Sequence, residues 1–551
     1  MKYGFNMKHN DLIQHLESND RFELNLYKNK VFLTGNSSVV EKYYKEDIAK
    51  FEDRYELLAR RNMFWYNVQH QNARVFFGLI KMINDAFVKL ITSGGFEAQV
   101  KVKGKTYPEG TEFDEEQTKR LNDILNFNEF KDNKWGLAES FQSGLGYAPI
   151  KISIDESLSP HPIIEVIKPE RAEVVKKRGI TQEYKFKSRK EFDGKQYELQ
   201  EVYRMEDKTP VIEYRLLMIE QDPIEMNIET LYNNNHEMFE ALGLNDLIVE
   251  GELKTVYYDF EKLNDFPVIL KNNTAYNSSY PLSPFGEPDT QGLDQIEDAL
   301  SENLSSMIEE IRKGRIKVMI SEDLVPKNKN GESTGFNDFR LDYEVIGSDA
   351  AKGESKIEIV QGKINSEKYL AGISSLIAYG CNKANIHPIT VGITGVESID
   401  ASQESQVERE KVSMRTRETK LRDWRKALEK LFNMLLKTQD IMDNVEPQEY
   451  DITINFGQFA NPSQENIVNL LSKAVEGSII SMREAQDRYF GEDMSDDEKE
   501  VAYIRTLVEK GVALTPAQKY FYDEKSKEIY GVTDEELINQ AQQAPVTGVE
   551  E

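Results

Sequence analysis

The sequence has a single cysteine, Cys381, among 551 residues. A lone cysteine excludes an internal disulfide framework and a thiolate zinc cluster, and it reads as a small buried hydrophobe. Histidine is almost as scarce. The six present are scattered with no i, i+4 pair, so no histidine metal site is expected. Basic residues are outnumbered, 69 Lys and Arg against 96 Asp and Glu, for a net charge of −27. That balance argues against tight nucleic-acid binding by counterion release, which needs clustered cations, and it favours solubility. Long apolar runs are missing as well. The opening stretch MKYGFNMKHNDLIQHL has no apolar segment of the kind a signal peptide carries. The most apolar helical stretch, VFFGLIKMINDAFVKLI, is broken by Lys81, Asp85 and Lys89 and does not read as a membrane span. The expectation is a soluble intracellular product.

What is present is organised around residues 400–443. This stretch lacks Gly and Pro and reads as one helix, roughly 60 Å long at ~1.5 Å per residue. Val407, Met414, Leu421, Leu428, Leu435 and Met442 recur every seven positions, while Trp424 and Leu431 add a second row only in the C-terminal half. The C-terminal half therefore carries a core-facing stripe. The N-terminal half is dominated by charge and must end against water or another subunit. A long surface helix or short coiled coil is the plain reading of this stretch taken alone.

Residues 39–92 show helical spacing throughout and stop at Ser93-Gly94-Gly95. A short strand (97–102) and a helix (114–127) follow. Between about 146 and 220 the period changes to two, which predicts one antiparallel β unit. Residues 221–262 form a polar excursion with a helical centre at 229–241. A Pro- and Gly-rich loop then leads into a helix with Leu293, Ile296, Leu300, Leu304, Met307 and Ile311 on one side, capped by Asp289 or Thr290. Strand-like runs occupy 315–321, 339–346 and 356–361, and a helix spans 366–384. HPITVGITGVESID, with Pro388, Gly392 and Gly395, is not expected to be helical. After the long helix come one strand, three helical pieces and an acidic tail.

The sequence offers little chemistry. No nucleophile elbow, Walker A loop, dinucleotide fingerprint, HExxH or EF-hand loop is present. Gly392 and Gly395 precede a helix but lack the Lys and Ser/Thr of a phosphate cradle. Asp294, Glu297 and Asp298 share a helix face and resemble Mg²⁺ ligands, yet a solvated or channel-facing acidic face is the simpler reading. The run Asp496 to Glu498 is the acidic start of a helix. No enzyme activity, cofactor or metal is expected.

The order of helix, small β insert, helix, glycine-containing loop and very long helix resembles the portal proteins of tailed bacteriophages, the long-tailed type above all. INDAFVKLITSGG, GLGYAPIKISID with IIEVIKPERAEVV, SSYPLSPFGEPDTQGLDQIEDALSENLSSMIEEIRKGRIKVMI and GSIISMREAQDRYFGEDMSDDEKEVAYI carry the likeness, over roughly residues 40–510. One departure is Asp400-Ala401-Ser402, where the family often has Ser-Gly at the start of the long helix.

The resemblance implies an α+β subunit with a long spine helix, paired stem helices, a β-rich wing, a small clip and a helical crown. Its implied parts are an arm (1–38), wing (39–291), stem helix (292–313), clip (314–361), second stem helix (366–385), tunnel loop (386–400), spine helix (401–443), returning wing strand (444–460), crown (461–511) and acidic tail (512–551). Pro388, Val391, Gly392, Ile393, Thr394, Gly395 and Val396 would form the loop facing a DNA channel. Asp294, Glu297, Asp298 and Glu302 would make an acidic stem face that keeps DNA off the wall. Leu421, Trp424, Leu428, Leu431 and Leu435 would pack the spine. The implied assembly is a twelve-fold ring at one capsid vertex of the virion, made in the host cytoplasm. Double-stranded DNA would pass through it without sequence specificity. Its implied partners are the major capsid and scaffolding proteins, the terminase large subunit and a head-completion adaptor, with no membrane. A metal-dependent DNA-processing enzyme and a cytosolic coiled-coil scaffold are the alternatives.

Overall fold

A computed structural model describes residues 19–530 apart from 48–62, 67–73, 106, 108–112, 156–157, 207–208, 221–222, 250, 258–264, 275–276, 281–282, 315–316, 322–323, 325–342, 347–356, 361–364, 394–402, 458–463, 478, 491–493, 510 and 512. The chain divides into two compact units, residues 1–457 and 458–551.

The first unit opens with helix α1 (Asn19–Leu33). Helix α2 (Ser37–Lys42) is capped by the Asn36 side chain, which accepts from the Ser38 amide, and runs into a π-helical turn at Tyr43–Asp47. Helix α3 (Leu79–Thr92) starts after Gly78, whose φ of 85° is left-handed. The helical spacing read across 39–92 is therefore interrupted. Residues 74–78 run without helical bonding, because their amides are engaged elsewhere, as described below.

Strand β1 (Phe96–Val102) alternates buried and outward residues. Helix α4 (Glu115–Phe127) is capped by Asp114, whose side chain accepts from the Gln117 amide. Helix α5 (Trp135–Leu145) ends at Gly146, with φ 94°. A Cβ there would lie 2.4 Å from the Gly286 carbonyl oxygen, so only glycine fits.

The period-two region does not make one β unit. Strands β2 (Tyr147–Ser153) and β3 (Ile163–Val166) belong to one sheet. Strands β4 (Ala172–Lys177), β5 (Ile180–Phe192), β6 (Lys195–Glu206) and β7 (Thr209–Ile219) belong to another. Two-residue turns at Arg178-Gly179 and Asp193-Gly194, all with positive φ, close the β4–β5 and β5–β6 hairpins. Strand β8 (Ile224–Met226) pairs with β7, and helices α6 (Ile228–Asn234) and α7 (His236–Ala241) follow. These helices bury Ile228, Leu231, Met238 and Phe239 against Tyr197 and Leu216 of the sheet. The polar excursion is thus a helical cover for the larger sheet.

Short strands β9 (Ile248–Val249) and β10 (Glu252–Leu253) pair with each other, and β11 (Val256–Tyr257) pairs with β7. Strand β12 (Val268–Asn272) returns to β2, completing a β12-β2-β3 sheet. Helix α8 (Asp294–Lys313) leads into a three-stranded insert of β13 (Lys317–Ser321), β14 (Tyr343–Ile346) and β15 (Ile357–Val360), ordered β14-β13-β15. Helix α9 (Ser366–Lys383) packs back on α8, and Pro388–Val391 forms a 3-10 turn inside the stretch expected to be non-helical. Helix α10 (Gln403–Met442) is the long helix, and β16 (Tyr450–Phe456) pairs antiparallel with β1 along its whole length. The main core joins β1, β16, β2, α4 and α5 to the C-terminal half of α10.

The second unit holds α11 (Gln464–Glu476), α12 (Met482–Phe490), α13 (Asp496–Glu509) and α14 (Pro516–Tyr530). Helix α13 starts with a capping box. The Ser495 hydroxyl accepts from the Glu498 amide, and the Glu498 carboxylate accepts from the Ser495 amide. Helix α14 lies in the stretch read as an acidic tail. It forms because Tyr522 buries against Val501 and Ile504 of α13.

Candidate functional site

The elements around the long helix form the candidate site: the α8–α9 pair, the insert between them, the turn at 386–393, and α10. Helices α8 and α9 pack together, with Ile296 and Leu300 of the first and Ile373, Ile377 and Cys381 of the second buried. Gly380 lets them close on α3, since a Cβ there would sit 2.7 Å from Leu79 Cδ2. Burial pushes the Cys381 thiol up to about 12, which makes it inert, as its isolation in the sequence suggests.

The acidic face of α8 requires correction. Glu297 is fully buried, and its carboxylate accepts from the amides of Gly78 at 2.7 Å and Ile80 at 3.1 Å. Asp298 is buried and accepts from the amides of Phe64 and Trp65. Asp294 is buried beside Lys28. Ser301 and Ser305, one and two turns further along, accept from the amides of Phe77 and Val75. The side chains of α8 therefore fasten residues 64–65 and 75–80 and hold the amino end of α3, where a helix dipole favours an anion. Burial raises the Glu297 carboxyl, and the amides of Gly78, Ile80 and Leu79 oppose that shift. Glu302 alone of the four faces outward. These carboxylates look solvated in sequence because their partners lie more than two hundred positions away.

The cap expected from Asp289 or Thr290 is also absent. Leu293 occupies the N-cap with no side-chain bond. Asp289 is drawn instead to Lys420 of α10, 2.7 Å away, and Thr290 is buried.

Lys420 is the centre of a buried polar cluster that the sequence reading missed. Its ammonium reaches Asp289, the Asn273 side chain at 2.6 Å and Glu139 at 3.5 Å. Trp424 donates its indole N–H to Glu139 at 2.6 Å, and Lys271 lies over the Trp424 ring. Burial works against the charge on Lys420, but Asp289 and Glu139 hold it above its ordinary range. Burial raises the Glu139 carboxyl despite Lys420 and Trp424. Burial also lowers Lys271, to about 8. The cluster ties α5, the end of β12 and the loop before α8 to one point on α10. Its sequence signal is a lysine four residues before Trp424, on the side that continues to Leu428, Leu431 and Leu435.

Those apolar residues, with Leu421, are buried in the main core. Nearer the amino end, Arg417 donates to the carbonyls of Leu90 and Gly457, and the Ser413 hydroxyl accepts from the His387 amide and bonds Thr390. The half of α10 that reads as polar thus has inward-facing members as well. In the turn, Pro388 is buried, Val391 and Ile393 are half-buried and Gly392 is exposed with φ 83°. Thr394, Gly395 and Val396 lie outside the described residues. Among the described residues no group of three or more acidic, His or Cys side chains is arranged to hold a metal. No described helix is long and apolar enough to cross a membrane.

No curated protein matches the chain. A protein-family model does, the one described as phage portal protein, SPP1 Gp6-like, and it matches residues 25–506. That span runs from within α1 to within α13 and takes in every element between them. The chain belongs to the SPP1 Gp6-like phage portal proteins.

Proposed function

We propose that this chain is the repeating subunit of a twelve-fold ring at one capsid vertex, through which double-stranded DNA is packaged and later ejected. The observation that carries this reading is the element order within the family match, in which two packed helices flank a small sheet and are followed by a 40-residue helix. In this reading α8 and α9 are the stem and residues 314–361 the clip, which meets the terminase large subunit and the head-completion adaptor. Residues 386–400 are the tunnel loop, α10 is the spine and 461–511 the crown.

Two further features support it. Tyr379 on α9 is 62% exposed, on the side of the helix turned away from the buried Ile373, Ile377 and Cys381. A neighbouring copy is the natural cover for it. The net charge of −27 suits a wall that must let DNA slide, because few phosphate contacts form and few counterions are released. That acidity belongs to the chain as a whole, since Asp294, Glu297 and Asp298 of α8 face inward.

The turn Pro388–Val391 is held by Ser413 and by the buried Pro388. Deleting Val391–Val396 should therefore leave ring assembly intact while lowering the amount of DNA packaged or retained. Normal packaging by that deletion would remove the channel role of this loop. The alternative of a metal-dependent enzyme loses its candidate ligands, because Glu297 and Asp298 are occupied by backbone amides.

A further inference from the structure

The second unit carries an open groove of about 380 Å³ between α11 and α12. Val468, Leu471 and Val475 of the first helix and Met482, Tyr489 and Phe490 of the second line it. Their spacing at three, four and seven positions turns one apolar stripe of each helix to the groove. Leu471 is buried, while Val468 and Tyr489 are 44% and 38% exposed. The groove therefore presents apolar surface to water, and a partner that covers it gains by removing that surface. The charged residue lining it is Glu476, which has no ion-pair partner among the described residues.

A guest of matching character projects from α14. Tyr520 is 71% exposed, yet Tyr522, two positions on, is buried against α13. Two residues turn a helix by about 200°, so Tyr520 points away from α13. Beside it Lys519 is exposed, again with no ion-pair partner among the described residues. The helices pack in chain order, α11 on α12, α12 on α13 and α13 on α14. With α13 between α14 and α12, and Tyr520 turned outward, a chain's own Tyr520 does not reach its own groove. We propose that Tyr520 of one copy seats in the α11–α12 groove of the next copy, with Lys519 paired to Glu476. This contact rests on the ring proposed above, in which each copy joins two different faces head to tail. Tyr489 and Phe490 offer the guest ring contacts and Met482 offers it a sulfur contact. Helix α14 lies beyond the span matched by the portal family model, so the contact is a feature of this chain in particular.

The test uses the full chain with Ser472→Cys in the groove and Glu524→Cys one turn beyond Tyr520, which leaves Tyr520, Lys519 and Glu476 in place. Both positions are exposed, and the native Cys381 is buried. A short bis-maleimide is added to the assembled protein, whose mass is followed in parallel by light scattering. The expected result is a ladder of chains linked to one another. Tyr520→Ala should slow the linking at least about tenfold, and Tyr520→Phe less than about threefold. Glu476→Lys should slow it severalfold, and adding Lys519→Glu to that variant should restore it. A ring that gives no link between chains, or links at a rate indifferent to Tyr520→Ala, would overturn the seating and leave the ring reading standing. A link formed within single chains would do the same. A protein that forms no ring at any concentration would remove this contact together with the reading beneath it.

Discussion

Lys420 carries more of the architecture than its single charge suggests. Its ammonium is surrounded by Asp289, Glu139 and Asn273 in a fully buried setting. Removing one member of such a cluster leaves the others charged and unpaired. Lys420→Met is therefore expected to cost roughly 3–5 kcal/mol in unfolding free energy, read as a fall in the denaturation midpoint. The triple variant with Glu139→Gln and Asp289→Asn should regain much of that loss. If the single and triple variants are equally stable, the cluster is not coupled. Asp114 gives a second test. Burial alone would raise its carboxyl, but Lys105, the Gln117 amide and Tyr107 outweigh that and hold it below its ordinary range. A carboxyl lowered on folding stabilises the fold above its unfolded value, near 3.9, and that contribution is lost as pH falls through the folded value. Asp114→Asn keeps a capping side chain and removes the charge. The wild type should be the more stable at neutral pH, and the gap should close as the pH drops below about 4. Asp114→Ala loses the cap as well, for about 1 kcal/mol more.

At the scale of elements, the hydrogen bonds from α8 to residues 64–65 and 75–80 tie α8 to the amino end of α3. Glu297→Gln replaces one acceptor oxygen with a carboxamide NH2, which faces one of the two backbone amides, Gly78 or Ile80, as donor against donor. We expect a loss of about 1–3 kcal/mol, with hydrogen exchange accelerating at residues 77–80 before the rest of α3. Uniform acceleration across the unit would mean that the carboxylate is not a local fastener. Single elements were the most legible in the sequence. The long helix, α8, α9, β1 and β16 follow from spacing and from the positions of Gly and Pro, because local periodicity fixes them. Their partners were less legible. Strand β2 pairs with β12, more than a hundred residues on, so one run of alternating residues became two sheets. Asp294, Glu297 and Asp298 look like a charged surface because a carboxylate bound to backbone amides has the same sequence pattern as one in water. Helix α14 was missed because it was grouped with the acidic tail, and its stability comes from Tyr522 against α13 rather than from its own periodicity.

For the whole molecule, the family match and the element order point to a closed ring. A closed ring requires each copy to offer two different faces to its neighbours. The exposed Tyr379 belongs to one such face in this account. An acidic chain repels its copies at low salt, so assembly should strengthen as ionic strength rises toward physiological values and screens that repulsion. The most direct test is the mass of the purified full-length protein in solution by light scattering, across a range of concentrations and salt. The account predicts a discrete species of about twelve times the 63.5 kDa subunit, or a neighbouring integer that marks a closed ring. A stable monomer or dimer under all of these conditions would contradict it.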